Sequence, residues 1–128
     1  MQALVIDDSR AMRLILGRIA RQLGFDVIEA GNGREALDRL AELDHVPELA
    51  LIDWNMPEMN GLEFVVAVRH DARYKAMTLM MVTTESEQSQ IVRALAAGAH
   101  EYVIKPFTPE AIVEKLVLLG LVKNGVNA

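Results

Sequence analysis

Five short apolar runs punctuate the chain, and between them the apolar residues recur at helical spacing. The runs are Ala3–Ile6, Asp26–Ala30, Leu49–Ile52, Leu79–Thr83 and Tyr102–Ile104. Most lack the polar alternation of a half-exposed strand, so they read as strands covered on both faces. After the first run, Met12, Ile15, Leu16, Ile19 and Leu23 form one stripe behind a Ser9 cap, and Gly24 closes the helix. Asn32 followed by Glu35 has the form of a capping box, with Ala36, Leu37 and Leu40 as the buried face behind it. Leu62, Val65 and Val66 mark a third helix. A fourth spans Ser86–Ala97, made by Ile91, Val92 and Leu95 and stopped by Gly98. The fifth opens at Thr108 and Pro109, runs to Leu119, and buries Ile112, Leu116 and Leu119.

Five strand–helix units in succession predict an α/β fold, a single parallel sheet with helices on both faces. In such sheets ligands bind beyond the carboxyl ends of the strands, near the point where strand order reverses. That rule turns scattered residues into one site. The first strand ends in Asp7 and Asp8, the third in Asp53, the fourth in Thr83 and Thr84, and the fifth in Lys105. The second ends in Ala30 and Gly31 and brings no charge.

Composition narrows what the site can serve. A chain of 128 residues with 52% hydrophobic and 24% charged residues is expected to fold as one globular domain. A net charge of -5 argues against nucleic acid or an anionic membrane as partner. The absence of cysteine excludes disulfides and thiolate metal sites. No basic leader precedes Asp7, and no apolar stretch approaches the roughly 20 residues of a membrane span, so a cytoplasmic protein is expected.

Two carboxylates about 4 Å apart repel by about 4 kcal/mol at an effective dielectric near 20. An Asp-Asp pair alone is commonly a solvated loop start. Joined by Asp53 at one sheet edge, it becomes a site for a hard divalent cation such as Mg²⁺, or Mn²⁺. A cation, a hydroxyl from Thr83 and the ammonium of Lys105 around a carboxylate are the parts of phosphoryl transfer, with the carboxylate as nucleophile and an aspartyl phosphate as product.

The stretches "VIDDSRAMR", "LIDWNMPEMNGLE", "MMVTTE" and "GAHEYVIKPFT" resemble, in order and spacing, the receiver domain of two-component response regulators. The likeness runs from about Ala3 to Leu119 and is nearest to the stand-alone, CheY-like receivers of chemotaxis. It implies a (βα)5 flavodoxin-like sheet of order 2-1-3-4-5, an order the apolar pattern does not itself supply. The resemblance makes Asp53 the phosphoacceptor. It gives the metal Asp8 directly, Asp7 largely through water, Asp53, and the backbone carbonyl of Asn55. Thr83 and Lys105 are then the groups that bind the phosphoryl oxygens, and Tyr102 is the aromatic switch. Lys105–Pro106 is implied to be cis. Asn60 stands where many receivers have Asp, and Thr84 where a smaller residue is frequent.

The implied partners are a sensor histidine kinase upstream and a protein target that docks on helix four, strand five and helix five. The expected molecule is a monomer, with a receiver over residues 1–120, a short tail over 121–128 and no output domain. Control of the flagellar motor is the first reading, and a relay intermediate feeding a phosphotransfer histidine is the alternative. A remote alternative is a dinucleotide-binding enzyme: "GNGREA", Gly31 to Ala36, fits G-x-G-x-x-A between a strand and a helix, with Asp53 20 residues beyond Gly33. That reading leaves Asp7, Asp8, Thr83 and Lys105 without a purpose.

Overall fold

Every one of the five apolar runs is a strand in the computed structural model, which describes residues 1–123. They are β1 (Gln2–Ile6), β2 (Asp26–Ala30), β3 (Leu49–Ile52), β4 (Thr78–Thr83) and β5 (Glu101–Ile104). All pair in parallel, in the order β2-β1-β3-β4-β5, as the resemblance implied. Between them lie α1 (Arg10–Gln22), α2 (Gly33–Glu42), α3 (Gly61–Arg69) and α4 (Gln88–Ala97), with α5 (Pro109–Leu118) after β5. A 3-10 turn at Ala72–Tyr74 follows α3.

Strand residues alternate between two cores, as a period of two requires. Leu4, Ile6, Ala50, Ile52, Leu79 and Met81 pack against Ala36, Leu40, Phe64, Val65, Val68 and Ala94 of α2, α3 and α4. Ala3, Val5, Leu49, Leu51, Met80 and Val82 pack against Leu16, Ile19, Ala20, Ile112 and Leu116 of α1 and α5. From β1 the chain steps outward to β2, then crosses back to β3 on the other side. The strand order therefore reverses between β1 and β3, and the crevice beyond their carboxyl ends is where such sheets hold ligands.

The caps follow local chemistry. Ser9 accepts from the Met12 N–H, and Thr108 accepts from Ala111 with Pro109 at the first helical position. The reciprocal capping box is at Asn60 and Glu63, where each side chain accepts from the other's backbone N–H. At Asn32 only half of the expected box forms, because Glu35 reaches past the cap to the Gly31 N–H. Asn60 is thus a helix cap, which Asp would serve equally.

Helix faces depart from the apolar pattern in three places. Ile15 and Val66, both apolar members of the helical pattern, are exposed. In α4 the fully buried residue is Ala94, with Ile91 packed against the same core, while Val92 and Leu95 are 56% and 42% exposed. That helix also begins two residues later than expected, with Glu87 before it making no side-chain cap. At the other end of the chain, Val122 is buried and Leu121 packs on the α1/α5 core, so the packed unit runs past residue 120. The rest of the expected tail, 124–128, lies outside the described residues.

Candidate functional site

The site residues are held by the last rungs of the sheet ladder. Asp7 N–H donates to Ala30 O at 3.1 Å, Asp53 N–H to Ile6 O at 2.9 Å, and Lys105 N–H to Thr83 O at 2.9 Å. Each side chain therefore leaves the chain one residue beyond the end of a strand, at the same sheet edge. Asp7 and Asp53 are buried, 1% and 6% exposed, and Asp8 faces solvent. Carboxylate oxygens of Asp7, Asp8 and Asp53 lie within 4.8 Å of one another. Lys105 Nζ sits 2.7 Å from Asp7 Oδ2 and 3.8 Å from Asp53 Oδ1. The Lys105–Pro106 peptide is cis.

The electrostatics leave this cluster short of positive charge. Burial pushes the Asp53 carboxyl above its ordinary pKa and the Asp7 carboxylate adds to that, against the Thr83 hydroxyl, the Lys105 ammonium and the Trp54 N–H, which lower it. One ammonium faces three carboxylates, two of them removed from water. All the donors are hard oxygens, so the residues present fit a divalent cation of the Mg²⁺ type.

The loop from Trp54 to Asn60 is fitted tightly beneath Asp53. Gly61 N–H donates to Trp54 O at 2.9 Å, and a Cβ at Gly61 would run into the Asp53 carbonyl oxygen. Gly33 donates to Met59 O at 3.1 Å, where a Cβ would stand 2.8 Å from Met59 Cγ. Glu58 takes a left-handed conformation, φ 66°, which completes the reversal. Asn55 is exposed on this loop, two residues after Asp53, and Thr84 is exposed after β4.

Thr83 is fully buried, and its Oγ1 accepts from the Glu85 N–H at 3.3 Å. Tyr102 is turned inward, 9% exposed, and its hydroxyl donates to Glu85 O at 2.7 Å. Burial, with Glu85 and Asp53 nearby, pushes the Tyr102 phenol up to about 12, so it stays a donor. Glu85 therefore joins Thr83 to Tyr102 through its own backbone.

Asp7, Asp8, Asp53, Thr83 and Lys105 are brought together as the sequence led one to expect. Gly61 and Glu85 escaped notice. A glycine at the first position of α3 is a poor helix former, which was the available signal for Gly61. Glu85 acts through its backbone and had none. The "GNGREA" stretch has a packing role: β2 is an edge strand away from the reversal point, and Gly33 lets α2 approach Met59. That leaves the dinucleotide reading without support.

Comparison with known proteins agrees with this geometry. The chain is 45% identical over 122 residues to Chemotaxis protein CheY1 of Helicobacter pylori, covering 94% of this chain and 98% of that one. It is 48% identical over 117 residues to the CheY homolog of Campylobacter jejuni, covering 91% and 89%. The solved structure of the chemotaxis response regulator CheY4 of Vibrio cholerae superposes with a TM-score of 0.84 at 34% identity, over 92% of this chain and 97% of that one. The family model described as the response regulator receiver domain matches residues 3–117, so this chain belongs to the response regulator receiver family.

Proposed function

We propose that this receiver serves a chemotaxis two-component system, taking a phosphoryl group onto Asp53 from the phosphohistidine of a sensor kinase. The observation that carries the reading is the meeting of Asp7, Asp8, Asp53 and Lys105 at the strand-order reversal. In the transfer, an Asp53 carboxylate oxygen forms the new P–O bond as the P–N bond of phosphohistidine breaks. The imidazole nitrogen keeps that electron pair and takes a proton from solvent. The carboxylates of Asp7, Asp8 and Asp53 and the Asn55 backbone carbonyl are the groups that would hold Mg²⁺ or Mn²⁺. Bound there, such an ion would supply positive charge against the phosphoryl oxygens. Lys105 is within reach of Asp53 and can pair with a second oxygen, and Thr83 can donate its hydroxyl to a third.

The output surface in this reading is α4–β5–α5, where Val92, Leu95, Ile104 and Leu118 are exposed apolar side chains. A target such as a flagellar switch protein would bind there. The high identity to chemotaxis proteins of two genera supports that assignment over a relay role.

The test is chemical. Incubation with acetyl phosphate and Mg²⁺ should add one acid-stable, base-labile phosphoryl group, and Asp53→Asn should abolish it. Equal incorporation in that variant would remove Asp53 from the role.

A further inference from the structure

The peptide unit that joins Asp7 to Asp8 is gripped from the side of α1. Arg13 donates from Nη1 to the Asp7 carbonyl oxygen at 2.7 Å and from Nε to Glu29 Oε1 at 2.9 Å. Glu29 is on β2, in register with Val5 of β1, so one planar guanidinium ties β2 to the turn that carries both aspartates. The Arg13 side chain is only 19% exposed. A fixed carbonyl fixes the plane of its peptide, and that plane limits where the two flanking side chains can point. Asp7 is further held by the Ser9 N–H on Oδ1 at 2.9 Å and by Lys105 on Oδ2. Asp8 is exposed, and among the described residues neither of its carboxylate oxygens takes part in a hydrogen bond or ion pair of the kind that holds Asp7. For Asp8 the peptide plane is therefore the main source of orientation.

We propose that Arg13, held by Glu29, is a positioning residue for the divalent cation: it sets the Asp7–Asp8 peptide so that both carboxylates face Asp53. The proposal rests on reading the acidic cluster as a Mg²⁺ site. It also makes a prediction opposite in sign to the simplest electrostatics. By charge alone, a guanidinium close to a cation site weakens the cation, and its removal should tighten binding. If its fork orients the ligands, removal should loosen binding instead.

Mg²⁺ titrations of the full chain, read by the fluorescence of Trp54, the sole tryptophan and the neighbour of Asp53, decide between them. Melting in the absence of metal is measured alongside as the readout of a purely structural bridge. Arg13→Gln should weaken Mg²⁺ at least five-fold. Arg13→Lys, which keeps the charge but cannot fork, should weaken it by a similar factor. Glu29→Gln, which keeps Arg13 but frees it, should weaken it two- to three-fold, and this variant and Arg13→Lys carry the test should Arg13→Gln not fold. Unchanged or tighter Mg²⁺ binding in Arg13→Lys, with or without a lower melting temperature, would overturn the proposal while leaving the metal site standing. A wild-type chain that binds no Mg²⁺ would overturn the site reading and this proposal with it.

Discussion

Lys105 stands closer to Asp7 than to Asp53, 2.7 Å against 3.8 Å, so the ammonium is shared unequally between two buried carboxylates. An ion pair in that position competes with any cation for Asp7. Lys105→Met should therefore strengthen Mg²⁺ binding by about three-fold or more, since a like charge is removed at short range. The same change should slow phosphorylation from acetyl phosphate by about 100-fold, because a fixed charge facing the phosphoryl oxygens is lost. Without metal the variant should be less stable by about 3 kcal/mol, since two buried carboxylates lose their partner. Metal titration, a phosphorylation time course with acetyl phosphate and melting check the three in turn, and an unchanged Mg²⁺ affinity would show that Lys105 does not guard Asp7 in solution.

Asp53 carries a folding cost that depends on pH. Its pKa is raised in the folded chain, chiefly by burial, so the folded state holds the proton more tightly than the unfolded state does. Stability must then fall as pH rises from the ordinary carboxyl value to the raised one, and the cost is fully present only above the raised value. Asp53→Asn should raise the melting temperature at pH 7, by about 4 °C for each kcal/mol recovered. That gain should shrink toward zero below the ordinary pKa of an aspartate. A gain that is constant from pH 3 to pH 8 would assign it to something other than ionisation.

Thr83 and Tyr102 both bond to the backbone of Glu85, one to its N–H and the other to its carbonyl. A phosphoryl group that draws the Thr83 hydroxyl toward Asp53 would release the Glu85 N–H and disturb the acceptor of Tyr102. Partner affinity should rise with beryllofluoride, a phosphoryl mimic, in wild type, and by linkage the partner should favour the phosphorylated form. Thr83→Ala should bind the mimic yet lose most of that gain. Tyr102→Phe should cost about 1 kcal/mol of stability, the worth of one hydrogen bond. An undiminished gain in Thr83→Ala would route the signal elsewhere.

Gly61 has no room for a side chain, because a Cβ there meets the carbonyl oxygen of Asp53. Gly61→Ala should destabilise the domain by about 2 kcal/mol or more, the cost of overpacking against backbone. Whatever fraction remains folded should phosphorylate poorly, since relief comes only by moving Asp53 or Trp54. Normal stability together with a normal phosphorylation rate would show that the loop yields without cost.

What the sequence determined by itself is the part of this protein governed by short-range rules. Apolar runs of strand length, the Ser9 cap, and the Thr108–Pro109 start all act within a few residues, and each was legible. The site was legible for a topological reason: a parallel sheet puts every strand's carboxyl end at one edge, so Asp7, Asp8, Asp53, Thr83 and Lys105 could be gathered without knowing any distance. Tertiary structure decided what depends on neighbours. Which face of α4 turned inward depended on its neighbours: Ala94 is buried and Ile91 and Ala97 pack on the same core, while Val92 and Leu95 are exposed. The choice of Asp7 as the nearer partner of Lys105 joins residues 98 apart in sequence and follows from a sheet order that brings the ends of β1, β3 and β5 to one edge, with β4 between the last two. Gly61 and Glu85 act through steric room and backbone groups, which any sequence carries and only packing makes specific.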